Sequence, residues 1–153
     1  MNNSKSNYPK FFLMLTVSFF VMYGVMFLNV DKFDHVYTSL TRTYMTILMI
    51  APMAILKMGF MWKMYTNKKY NYAIILGSVL VFVSTLFLLR TQEPIGDIQW
   101  MEAMIPHHSS AIMTSSEATF TDPEVQKLAD DIIKAQVKEI AEMKEMLARL
   151  EGQ

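Results

Sequence analysis

Met101, Met104, His107 and His108 stand close together in the run Met101-Glu-Ala-Met104-Ile-Pro106-His107-His108-Ser-Ser-Ala-Ile-Met113. Thioether and imidazole without thiolate form a donor set suited to Cu(I) or Ag(I). Zn(II) prefers cysteine or carboxylate beside histidine, and Ca(II) takes oxygen alone. At 100° per residue Met101, Met104 and His108 fall within about 60° on one helix face, with His107 about 60° to the other side of Met104. Pro106 cannot donate to the carbonyl of Glu102, so a kink is expected at the cluster. Further along, Met143 and Met146 are i, i+3 neighbours, with Glu139 and Gln136 one and two turns back. Met113 points away from Met104 on a straight helix and joins the group only through the kink or a partner subunit. The competing reading is structural: Met101 and Met104 pack a core, His107 and His108 cap a kinked helix, and Met143 and Met146 pack a seam.

Two helices must position these residues. Asp97 can cap a helix running to about Thr119, and Asp122-Pro123-Glu124 is a strong start for a second, with Asp122 at the N-cap and Pro123 in the first turn. In that second helix Val125, Leu128, Ile132, Gln136, Ile140, Met143, Leu147 and Leu150 recur at steps of three and four, which is a packing seam with one polar member. Such a pair reads as an antiparallel hairpin. About 60 residues cannot easily bury its apolar face alone, so a homodimer closing a four-helix bundle, or cover from elsewhere in the chain, is expected.

Upstream the composition changes. Residues 1–90 carry nine Lys/Arg against two Asp, and residues 91–153 carry five against twelve Asp/Glu, so a formal net charge of zero conceals halves of +7 and −7. The first half holds three apolar runs, about 11–30, 43–62 and 70–89, interrupted only by Lys57. Twenty residues at 1.5 Å each match the roughly 30 Å hydrocarbon core, so three transmembrane helices are expected. The first run is long for a signal peptide, and no small-x-small cleavage site follows it, so it reads as a retained span. The domains are then a membrane anchor, 1–90, and an extracytoplasmic domain, 91–153. The fold class is all-α.

Lys5 and Lys10 precede the first run, and Lys63, Lys68 and Lys69 separate the second from the third. The positive-inside rule therefore places the N-terminus in the cytoplasm and the acidic half outside, in the periplasm of a Gram-negative cell. Lys57 reads as a snorkelling side chain. Met22/Met26 and Met45/Met49/Met53 read as packing rather than an ion path, and Pro52 as a kink. His35, beside Asp31 and Asp34, reads as an exposed loop residue or an accessory cation site. Cysteine is absent, which excludes disulfides, thiol nucleophiles and thiolate-held clusters. Methionine remains a usable ligand in an oxidising compartment.

The segments Met104-Ile-Pro-His107-His108, Ala111-Ile, Asp122-Pro, Leu128-Ala and Ile132-Ile-x-Ala-Gln136-x-x-Glu139-Ile-x-x-Met143 resemble a bacterial ferritin-like domain-of-unknown-function family. That family is related to periplasmic copper-binding proteins of the CopM type. Met22-Tyr-Gly, Leu28-Asn, Asp34-His-Val, Thr41-Arg42 and Tyr72-Ala-Ile-Ile are similar to a membrane-anchored subgroup with three N-terminal spans. Many relatives have Gln after the histidine pair, whereas this chain has Ser109-Ser110. The resemblance implies a ferritin-like hairpin that assembles into bundles and binds copper in metal tolerance. His107, His108, Met104 and Met143 would be the first ligands, and Met101, Met113 and Met146 the next. A carboxylate di-iron site does not fit, since Glu102 lies five residues from His107 rather than three.

No nucleophile–base pair, phosphate loop or basic nucleic-acid patch is present, so neither an enzyme nor a nucleic-acid partner is expected. The expected function is Cu(I) or Ag(I) buffering or chaperoning at the membrane surface, with the lipid bilayer, a second copy and metal-efflux components as partners. No organic cofactor is expected. The alternative is an interaction or stress-sensor subunit of an efflux system that holds no metal. A membrane redox enzyme is a third reading, for which the sequence offers no further cofactor ligands.

Overall fold

A helix that is apolar on every side suits surroundings without water. Three helices of this chain are of that kind: α1 (Asn7–Val25), α2 (Leu40–Phe60) and α3 (Lys68–Thr91), each long and apolar enough to cross a membrane. At 1.5 Å per residue even the 19 residues of α1 cover about 28 Å. Two further helices follow, α4 (Asp97–Glu117) and α5 (Pro123–Glu151), and the described residues contain no strand. The structure is a computed structural model that describes residues 7–152, so Lys5, one of the orienting lysines, lies outside the described residues.

The chain divides into two compact units. Among the described residues the first comprises 7–25 and 42–94. Its core joins Phe11 of α1, Ala54 and Met58 of α2, and Tyr65 of the α2–α3 connection, with Leu15 and Ile74 packed against them. Asn71 is fully buried there and fully engaged: its Nδ2 donates to the Tyr65 carbonyl at 2.8 Å, and its Oδ1 accepts from the Tyr8 hydroxyl at 2.7 Å. Asn67 caps α3 by accepting from the N–H groups of Lys69 and Tyr70. Lys57 stands in the last turn of α2, where a long stem can carry its charge to the interface. Both Pro52 and Pro106 are accommodated inside continuous helices.

The second unit comprises residues 26–41 and 95–152. Met101, Ile105 and Ile112 of α4 share one apolar cluster with Ile140, Met143 and Leu147 of α5. Their spacing of three to four residues gives each helix a single buried stripe. Asp122 caps α5 as its sequence signature requires: its Oδ1 accepts from the Glu124 N–H at 2.8 Å and from the Val125 N–H at 3.2 Å. Gly96, not Asp97, is the N-cap residue of α4, and Asp97 instead places its carboxylate in the first turn, where it complements the helix dipole.

The structure corrects three boundaries drawn from composition. α1 stops at Val25, and residues 26–30, apolar enough to count as span, belong to the second unit, held there by side chains of α4. The seam on α5 holds from Ile140 to Leu150, but Val125 (46% exposed) and Leu128 (60%) are open. Finally, the division at residue 90 separates α4 and α5 from a segment, 26–41, that packs with them.

Candidate functional site

The buried stripe of α4 runs Met101, Ile105, Ser109, Ile112, and its one hydroxyl is fully buried. A buried hydroxyl demands partners, and residues 26–41 supply them. Ser109 Oγ accepts the Asp31 N–H at 2.8 Å and lies 2.9 Å from Nδ1 of His35. Next to it, Asn29 Nδ2 donates to Ser110 Oγ at 2.7 Å. The Leu40 N–H donates to Gln99 Oε1, whose own Nε2 donates to Glu102 Oε2, each at 2.9 Å. Lys144 of α5 closes the set by donating to Asp34 Oδ2 at 2.6 Å. Residues 26–41 therefore form a strap tied to both helices, with Tyr37 packed against their core.

His35 sits in a short 3₁₀ turn, Phe33–His35, and is 6% exposed rather than an open loop residue. Burial pushes its imidazole below the ordinary histidine range, the nearby Lys144 charge acts in the same direction, and Asp34 opposes them. The hydrogen bond from Lys144 holds the Asp34 carboxyl below its ordinary value. A cavity of about 230 Å³ opens beside Asp31, Asp34, His35, Ile140 and Lys144. The Lys144 ammonium already pairs with Asp34, so this corner is an ion pair rather than an accessory cation site. Burial, reinforced by the charge of Glu151, raises the Glu102 carboxyl above the usual range.

Methionine and histidine meet in part. Met101 and Met143 are buried in the α4/α5 cluster and Met104 is packed against it, so three of the candidate methionines share one core. His108 Nδ1 lies 2.9 Å from the Met104 carbonyl, and Nε2 lies 2.8 Å from Glu139 Oε2 on α5. A carbonyl oxygen can only accept, so Nδ1 donates in that contact, and the Glu139 carboxylate likewise accepts from Nε2, the nitrogen turned toward α5. His107 is exposed on α4, with its ring centroid 6.2 Å from that of His108. Met146 is 45% exposed and Met113 partly buried, and neither belongs to the cluster. Among the described residues no three His, Asp or Glu side chains converge on a point.

Sequence reasoning missed the roles of Ser109, Ser110 and Asn29. The available signal was a serine at a position where the apolar period of α4 calls for a core residue.

The family model described as a domain of unknown function, DUF305, matches residues 87–152. Over 150 residues, 96% of this chain and 93% of the relative, the chain is 33% identical to the uncharacterized protein L153 of Acanthamoeba polyphaga mimivirus. No solved structure matches.

Proposed function

The chain belongs to the same family as the mimiviral uncharacterized protein L153, and for its α4/α5 unit we propose binding of a soft monovalent cation, Cu(I) or Ag(I), at the membrane surface. The observation that carries this reading is the orientation of His108. Its Nδ1–H is given to the Met104 carbonyl, which orients the ring and turns Nε2 toward α5, where an ion would take the place of the Nε2 proton now given to Glu139. The thioethers of Met104, Met143 and Met101 lie in the apolar cluster between the same two helices. Soft donors with little water around them favour a soft, singly charged ion. Glu139, now the partner of Nε2, is the group that such an ion would displace or share. His107, exposed one residue away, serves as an entry ligand, and Met113 and Met146 have no part within one chain.

The role that follows is buffering or chaperoning of toxic ions. In this reading the unit is a ferritin-like antiparallel hairpin held outside the cytoplasm by three spans with a cytoplasmic N-terminus. The excess of twelve Asp/Glu over five Lys/Arg in residues 91–153 raises the local cation concentration there. A reporter active only in the cytoplasm, fused after Gln153, should be silent; activity would reverse the topology.

The decisive experiment titrates the full chain, purified anaerobically, with Ag(I) and Cu(I). His108→Ala and Met104→Leu/Met143→Leu should each weaken binding by more than about 10–100-fold, the range for loss of an outer-shell partner alone. Variants that titrate like the parent would overturn the site.

A second reading, an interaction subunit, is favoured by one observation. Val125, Leu128 and Met146 are 45–60% exposed and fall within about 60° of one another on α5. A second copy pairing along this face would complete a four-helix bundle, and metal-efflux components are the other candidates. Because the chain has no cysteine, Leu128→Cys and Met146→Cys give a clean test. Disulfide-linked dimers should form in the bilayer if copies pair there; chains that stay monomeric on oxidation would exclude that pairing.

A further inference from the structure

The first unit carries a groove of about 1500 Å³ between α1, α2 and α3, distinct in residues and chemistry from the α4/α5 cluster. Its charged groups gather at one end. Lys68, Lys69, Thr66 and Asn67 lie at the start of α3, beside Tyr8 of α1. The single Tyr8 hydroxyl proton is shared between Asn71 Oδ1 and the Asn67 carbonyl 3.1 Å away, which brings the beginnings of α1 and α3 to the same end of the groove. From there the lining becomes apolar, through Phe12 and Phe19 of α1, Ile50 of α2, and Ile74 and Val81 of α3. Eleven helical steps from Tyr8 to Phe19 and thirteen from Lys68 to Val81 cover roughly 16–20 Å at 1.5 Å per residue. That is close to one leaflet of a hydrocarbon core about 30 Å thick. The groove is thus one leaflet deep, apolar along its length but for Ser78, and cationic only at headgroup level.

We infer that this groove holds an anionic phospholipid, with its phosphate at Lys68 and Lys69 and an acyl chain lying along α1 and α3. Charge complementarity selects this occupant. Neutral lipid would leave two adjacent ammonium groups uncompensated at the mouth. A second copy seated symmetrically would bring its own Lys68 and Lys69 against them, and like charges repel. Gly77 is on the groove wall, and a Cβ built there meets no atom within 4 Å, so this stretch of α3 faces open space rather than a packed neighbour.

The test reconstitutes the full chain in phosphatidylcholine nanodiscs containing a minor fraction of phosphatidylglycerol. Lipid retained after detergent extraction is then counted by native mass spectrometry. The parent should keep phosphatidylglycerol at about one per chain, far above its bulk share. Lys68→Gln/Lys69→Gln should lower that enrichment by roughly 30-fold, the loss expected for two lysines near an anionic headgroup. Gly77→Trp should expel phospholipid of either kind while leaving the helix content and thermal transition of the chain unchanged, since its side chain enters empty space. Equal retention of the two lipids by the parent and the lysine variant would overturn the proposal, as would retention of none. So would a Gly77→Trp variant that dissociates an oligomer, because the groove would then belong to a second copy. None of these readouts depends on metal binding, so this inference and the proposed function stand or fall separately.

Discussion

In the unit of α1–α3, Thr46 and Asn71 are fully buried while Leu13, Phe20 and Leu76 point outward, 62–68% exposed. In the unit of α4 and α5 the order is reversed: Met101, Ile105, Met143 and Leu147 are buried, and the outward positions of α5 include Lys138, Glu139 and Glu142. One rule produces both patterns. Each unit turns toward its surroundings what those surroundings solvate, and the apolar exterior of the first unit is suited to lipid. The difference also locates the sources of specificity. Between α1, α2 and α3 the apolar contacts differ little from those lipid would offer, so buried hydroxyl and amide contacts fix the register. Between α4 and α5 the apolar stripe provides cohesion, and Ser109 and His108 provide direction.

Four tests would break or sharpen this contrast. Ile105→Ala should destabilise the α4/α5 unit by about 2–5 kcal/mol, the cost of truncating a core residue. Leu76→Ala, on the outer side of α3, should fall within about 0.5 kcal/mol. Unfolding of the full chain in micelles, followed by circular dichroism and hydrogen exchange, compares the two, and equal costs would erase the distinction. Next, Ser109→Ala should cost about 1–3 kcal/mol by leaving the Asp31 N–H and the His35 ring without their partner. Exchange at the Asp31 amide should rise while the amides of α1–α3 hold. Asn71→Ala should do the reverse. Asp122→Ala, which removes the cap of α5, should cost about 1 kcal/mol, read as earlier fraying of the first turn of that helix.

The smallest effect is one of pH. His35 titrates below its ordinary value of 6.5 when the strap is docked, so the released strap binds the proton more readily. Docking is therefore fully favoured above about pH 6.5 and weakens as the pH falls from there toward the lowered value. Exchange at the Asp31 amide should accelerate on mild acidification, and His35→Asn should flatten that response; an unchanged slope would remove His35 as its source.

Much of this organisation is local and could be read from the chain. Asp122-Pro123-Glu124 marks the start of α5 because an N-cap acts over three residues. The three apolar helices follow from run length alone, although each begins a few residues early, since Lys10, Arg42 and Lys69 are tolerated at helix ends. Met101 and Met104 share a face by helical period. What was not legible is non-local. The contact of His108 with Glu139 depends on the register across residues 118–122, which no periodicity within either helix specifies. The end of α1 at Val25 depends on hydrogen bonds from residues 78 to 81 positions away. Composition therefore assigned residues 26–30 to a span, although side chains of α4 hold them.

The strap has a consequence for biosynthesis. Its partners Ser109 and Lys144 follow His35 and Asp34 by 74 and 110 residues, and two long apolar helices intervene. A ribosome thus delivers residues 26–41 well before anything they bind. The α4/α5 unit is finished only after α2 and α3 have emerged and α4 and α5 have followed, so docking of the strap cannot be completed before Lys144 has been made. Until then Asp31, Asp34 and His35 wait without the partners that Ser109 and Lys144 provide in the finished fold.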